Sequence, residues 1–176
     1  MKKNILLLVF GCFTIIGFSQ DILYGIRAGV NVSNLDFKPD PTFSNQHRNG
    51  FVFGGFVDYG ITEKFSVLLE LQYSAEGANA DALKADYIQM PILARFGFGD
   101  KLKLGVGPMA SLKTWENKDT FSTFTYALVG GVEYMITDEL FIDSRVHYGL
   151  IDILDDDTTT IEATNMTFQF GIGLKI

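Results

Sequence analysis

Residues 87–108 read YIQMPILARFGFGDKLKLGVGP, two apolar runs joined at Gly99-Asp100-Lys101. Taken every second residue, one row is Ile88, Met90, Ile92, Ala94, Phe96, Phe98, then Leu102, Leu104, Val106 and Pro108. The other row holds Gln89, Arg95 and Lys103. A period of two marks β-strands, because successive side chains point to opposite faces of a sheet. The stretch therefore poses a choice. Either the charged row faces water over a greasy core, or it faces inward while the uncharged row meets a greasy surrounding.

The rest of the chain decides it. Alternating segments recur at 23–35, 51–59, 65–76, 86–98, 102–114, 122–136, 140–153 and 165–176, with polar or Gly-rich breaks between them. Soluble strands average about five or six residues, whereas a tilted membrane-spanning strand needs about nine to eleven. Sorted by parity, each segment has one run of alternate residues without a charge, beginning at Ile88 in the fourth and ending at Leu150 in the seventh. Tyr24, Ile26, Ala28, Val30 and Val32 form the first such row, and Met166, Phe168, Phe170, Ile172 and Leu174 belong to the last. The opposite rows carry Arg27, Asp58, Glu70, Arg95, Lys103, Lys113, Glu133, Asp143, Arg145 and Lys175, with Asn31, Gln72, Gln89 and Gln169. A soluble lipocalin-like barrel turns its apolar row inward and tolerates some charge on both faces. Eight uncharged rows fit lipid outside and a polar interior. The pattern predicts an all-β fold, an eight-stranded antiparallel up-and-down transmembrane β-barrel.

Connection lengths agree. The breaks at 60–64, 99–101 and 137–139 are short, while 36–50, 77–85, 115–121 and 154–164 are longer and more polar. Outer-membrane barrels carry short turns on the periplasmic side and long loops outside, which puts both termini in the periplasm. Outward aromatics gather near strand ends: Tyr24, Tyr59, Phe65, Phe98 and Tyr134 below, Phe51, Tyr73, Phe124 and Tyr148 above. That is the distribution of two interfacial girdles.

Composition bounds the partners. With 47% hydrophobic and 20% charged residues, the chain is not of the disordered class. A net charge of −7 argues against nucleic acid and against electrostatic attachment to anionic lipid surfaces. Residues 1–19 read as a cleaved signal peptide: Lys2 and Lys3, an apolar run from Ile5 to Phe18, and the small-x-small pattern Gly17-Phe18-Ser19 before Gln20. Residues 20–176 are then the barrel domain. The sole cysteine, Cys12, offers a lipidated alternative, but Phe10 fits poorly ahead of Gly11-Cys12 and the apolar run continues past it. Cleavage before Gln20 leaves a mature chain without cysteine.

Several blocks occur in a recognisable order: FSVLLELQYSAEG (65–77), ADYIQMPILARFGF (85–98), LGVGPMAS (104–111), LVGGVEYMI (128–136), SRVHYGLIDI (144–153) and MTFQFGIGLKI (166–176). Together they resemble the PorT-like outer-membrane β-barrel family of Bacteroidetes-type bacteria, over the whole mature chain. The resemblance implies a bacterial outer-membrane location and insertion by the barrel-assembly machinery. It also implies an alternative role, as an accessory component of a secretion or gliding assembly.

An eight-stranded lumen is just wide enough for side chains to fill. The inward charges Arg27, Asp58, Glu70, Arg95, Lys103, Glu133, Asp143, Arg145 and Lys175 are therefore expected to pair in a structural network, since isolated buried charges are costly. If 137–139 is a three-residue turn, Glu133 lies opposite Asp143, and the two carboxylates need cations from Arg145 and from Arg27 or Lys175. A small-solute pore is a lesser alternative.

No catalytic residue, cofactor or metal ligand is assigned, and the expected role is that of a structural or interaction protein working through its loops. Asp143 and His147 stand roughly 13 Å apart along one strand, too far to hydrogen-bond. The second histidine, His47, lies in the first long loop. A lipid-modifying barrel enzyme is the remaining alternative. Asp152 and the run Asp155–Asp157 are oxygen-rich enough for a divalent cation, but their spacing matches no defined loop motif. Trp115 and the first long loop are candidate contacts for envelope partners. Pro91 and Pro108, each without an N–H in a closed ladder, predict a bulge or a broken bond and together a single bend.

Overall fold

Threonine makes two of the short turns. The Oγ1 of Thr62 accepts hydrogen bonds from the amides of Lys64 (3.3 Å) and Phe65 (3.0 Å). Thr137 repeats the arrangement with Glu139 (3.3 Å) and Leu140 (2.9 Å). The third turn uses Gly99 at φ 68°, a left-handed backbone that glycine adopts without penalty. Such compact reversals fix the register of the strands they join.

The computed structural model describes residues 22–39, 45–80, 83–114, 122–153 and 162–176. The predicted leader, Trp115 and Asp155–Asp157 lie outside the described residues. Eight strands run in sequence: β1 Ile22–Lys38, β2 Arg48–Thr62, β3 Phe65–Gly77, β4 Lys84–Phe98, β5 Leu102–Lys113, β6 Phe124–Met135, β7 Leu140–Gly149 and β8 Glu162–Lys175. Each pairs antiparallel with its neighbour, and β8 pairs with β1 to close the barrel. The predicted architecture is the observed one.

The pairings also give the stagger. Steps from Ile22 lead to Tyr59, Val67, Ala94, Val106, Gly130, Val146 and Phe168, then back to β1 at Val32, ten residues beyond the start. A barrel with that offset has strands inclined by about 35–45° to its axis. All nine positions belong to the uncharged row.

That row faces outward. Ile26, Leu71, Phe53 and Leu128 are exposed on the wall, while Arg27, Gln72 and Val129 of the opposite parity are buried. Toward the loop end the outward row of β1 turns polar at Asn34, Asp36 and Lys38, and that of β4 at Asp86 and Lys84. These residues mark the upper edge of the apolar band. Stacked and tilted rings lie along its borders: Phe65 and Phe96 at 5.0 Å near the short turns, and Phe51, Phe53 and Tyr73 within 5.5–6.2 Å near the loops. An arginine placed at Val106, midway up the wall, is expected to destabilise the barrel by about 2–4 kcal/mol, and at Ile136 by about 0–1. Unfolding titrations in lipid vesicles measure the difference.

Two expectations need correction. Strand β7 ends at Gly149, not at 153; Ile153 instead turns inward and is 2% exposed. The prolines produce two breaks, not one bend. Between β3 and β4 the registered pairs are missing at Glu70/Pro91 and Leu71/Met90; between β4 and β5 they are missing at Ile92/Pro108 and Leu93/Gly107. The register is the same on both sides of each gap, so no residue is inserted. Pro91 offers no N–H toward β3, and Pro108 offers none toward β4. The irregularity that does shift register lies elsewhere, at Gly60/Thr62.

Candidate functional site

The inward rows of the strands converge on the barrel axis, and their contents separate into layers. Nearest the short turns, Arg95 donates to Oδ2 of Asp58 at 2.9 Å, and Lys103 approaches the same oxygen at 3.3 Å. The other terminal nitrogen of Arg95 pairs with Glu133, which also accepts from Lys175. Lys103 is the least buried member; it lies at the mouth of the barrel, where a cavity of about 340 Å³ opens beside Lys101, Lys175 and Met135.

One layer further in, Arg27 grips Asp143 through two hydrogen bonds of 2.6 Å. It also donates to Gln169 at 3.0 Å and Gln72 at 3.3 Å. Arg145 reaches Glu70 across the barrel at 2.7 Å and stands 3.7 Å from Asp143. Glu133 and Asp143 do face each other in the β6–β7 ladder. Each is neutralised by a different set of cations: Arg95 and Lys175 for the first, Arg27 and Arg145 for the second. Bidentate geometry with the remaining donors occupied is what makes a buried ion pair tolerable.

Glycines make the room. A Cβ at Gly171 would lie 2.8 Å from Nε of Arg27, and one at Gly131 would lie 2.8 Å from Cγ of Arg145. The large cationic side chains therefore lie flat on neighbouring backbone, which lets two arginines and two carboxylates share one level of a narrow barrel.

Sequence reasoning missed two parts of the interior. The first is an apolar cluster of Phe56, Leu68, Leu93, Met109, Ala127, Val129 and Phe141. Its rings meet edge to face, Phe56 and Phe141 at 5.7 Å and 70°. These residues have the parity of the charges, so the signal was present in the alternation itself. The second is Glu76, which accepts from Ser74 (2.7 Å), Gln89 (2.9 Å) and Asn165 (2.5 Å). Gln72 joins this layer to Arg27 by donating to Gln89 at 2.8 Å. Glu76 continues the row Glu70, Gln72, Ser74, and His147 continues Asp143, Arg145.

Above these layers Leu35, Phe37, Ala78, Ile153 and Ala163 pack with Leu83 into a second apolar cluster, which caps the loop end. Asp152, considered above for cation binding, accepts the amide of Ala163 at 2.8 Å and so holds this cap together. Within the ionic layers the free space bounded by Leu93, Arg95, Glu133, Asp143 and Arg145 is about 20 Å³. That is room for about one water molecule.

A closed antiparallel barrel with an uncharged wall and an ion-paired interior defines a transmembrane β-barrel of the outer-membrane type. Residues 5–175 match the outer membrane protein beta-barrel domain family, and the chain belongs to it. It is accordingly an envelope protein of the bacterial outer membrane.

Solved barrels share the fold. Neisserial surface protein A matches at TM-score 0.58 and 16% identity, over 87% of this chain and 97% of that one. Ail, the attachment invasion locus protein of Yersinia pestis, matches at TM-score 0.57 and 15% identity, over 88% and 98%. A comparison with curated proteins found no match.

Proposed function

We propose that this barrel is a structural and interaction protein of the cell envelope, meeting protein partners through its long loops rather than passing solutes through its lumen. The observation that carries this reading is the filled interior: interlocked ion pairs and an apolar cluster occupy the lumen, and an apolar cap covers its loop end. A conduit would have to open the cap and separate several buried ion pairs at once, which argues against the pore. The network residues serve the fold, and the reading assigns no catalysis, cofactor or metal. Outer-membrane lipid surrounds the wall, and the barrel-assembly machinery is the partner during insertion.

A second reading, accessory service to a secretion or gliding assembly, is favoured by the ordered blocks FSVLLELQYSAEG and ADYIQMPILARFGF that resemble the PorT-like group. Photo-crosslinking from loop positions in the native envelope, followed by identification of the captured proteins, separates the two. Recovery of secretion-assembly components supports the second reading; other envelope proteins support the first. Capture from the lipid-facing wall but not from the loops would reject both.

In this reading both termini lie in the periplasm. Asn79 and Asp138 are exposed at opposite ends of the barrel, and the mature chain offers no competing thiol. In intact cells, Asn79→Cys is expected to react with a membrane-impermeant maleimide and Asp138→Cys to stay unlabelled until the membrane is broken. The reverse pattern would invert the orientation.

A further inference from the structure

Between the apolar cap and the ionic layers lies a level of the barrel whose hydrogen bonding is incomplete. His147 is 2% exposed, yet neither ring nitrogen has a hydrogen-bond partner among the described residues. The same holds for Oγ1 of Thr167, Oη of Tyr87, and the amide oxygens of Asn31 and Asn165. These groups belong to one level. Thr167 pairs with His147 on β7 and with Ser33 on β1, and Tyr87 pairs with Ser74, which hydrogen-bonds Asn31 and Glu76. Nδ1 of His147 stands 3.8 Å from Oε1 of Glu76, close but beyond hydrogen-bond reach.

On the β5–β6 side this level is lined by small side chains: Gln89 pairs with Ser111, Ser111 pairs with Thr125, and Ala127 follows on β6, so that Ser111, Thr125 and Ala127 reach only a short way inward. Buried polar atoms are seldom left without partners, and where several converge without one, ordered water supplies the bonds. Amide oxygens need donors, hydroxyls can donate or accept, and a neutral imidazole needs one of each. Water satisfies all three; an anion would leave the amide oxygens unpaired, and Glu76 already repels it.

We propose that this level is a sealed binding site for a small cluster of water molecules, bridging His147 to Glu76, Thr167, Asn165 and Tyr87. The cap covers it on the loop side, and the Arg27–Asp143 and Arg145–Glu70 pairs close it below. The water completes the network that begins at Lys103 and ends at Asn165.

The sign of a mutational effect tests the idea. A hydroxyl that has no partner is better absent, so in a dry barrel Tyr87→Phe and Thr167→Val would each raise the melting temperature. With water bound, each is expected to lower it by a few degrees, read as the temperature at which the compact band on an unheated gel is lost. A raised or unchanged value in both variants overturns the proposal. Crystal diffraction from the unaltered protein gives a readout independent of folding. Density near 2.8 Å from His147 and Thr167 supports water. An empty level, or an ion held at distances near 2.4 Å typical of a bound cation, overturns it.

Discussion

Arg27→Ala is expected to destabilise the folded barrel by about 3–5 kcal/mol, the largest effect of any single charge in the interior. Arg27 is fully buried and holds both oxygens of Asp143 as well as the amide oxygens of Gln72 and Gln169. Its removal takes both short hydrogen bonds from Asp143 and leaves it only Arg145, 3.7 Å away, and that under-compensated buried charge accounts for most of the loss. Two controls separate this cause from mere loss of packing. Arg27→Ala combined with Asp143→Ala is expected to be less damaged than the sum of the two single variants, because neither charge is then left alone. Lys103→Ala is expected to change little, since that side chain sits partly exposed at the mouth and its partner Asp58 keeps Arg95. Denaturant titrations of the refolded proteins in lipid vesicles, followed by heat-modifiable gel mobility, supply the free energies. Additive effects of Arg27 and Asp143 would reject the ion pair as the source.

Phe141→Ala is expected to cost about 3–5 kcal/mol as well, for a different reason. The ring is wholly buried, meets Phe56 edge to face, lies against Gly173, and carries the Lys175 ammonium 4.9 Å above its centre. Truncation opens a cavity the surrounding wall cannot close and removes a cation–π contact. Phe168→Ala is the natural comparison, because Phe168 points outward, where lipid fills the space. Its expected effect is far smaller. If the two alanine variants unfold alike, the interior is not packed in the way described here.

The contrast between these two phenylalanines shows what the sequence could reveal. Alternation assigns a residue to a face, and it placed Arg27, Glu70, Asp143 and the rest inside and Phe168 outside. The short turn at 137–139 even put Glu133 opposite Asp143, because a fixed turn fixes its own ladder. Parity carries no information about height along the axis or about partners several strands away. Arg145 and Glu70 meet across the barrel only because of the ten-residue stagger, which is the sum of eight ladders. Phe141 shares the parity of Asp143 and Arg145, but reading its face as a polar lumen concealed an apolar layer within it. For the same reason Pro91 and Pro108 looked like one defect. They are level within the β4–β5 hairpin, and only the β3 register reveals that the missing N–H of Pro91 faces the other way.

The fourteen registered pairs between β1 and β8 join the first strand of the chain to the last. Hydrocarbon offers no substitute for a missing backbone partner, so a sheet of seven strands in a membrane would have two bare edges. The Arg27–Asp143 clasp compounds this, because it bonds β1 to a strand that emerges more than a hundred residues later. Assembly is thus a single event rather than a gradual one. The early strands can be threaded and matched, but their hydrogen bonds and their charges stay provisional until β8 arrives. Deleting β8 would remove no mere eighth of the barrel; it would leave the whole chain without a membrane-compatible state.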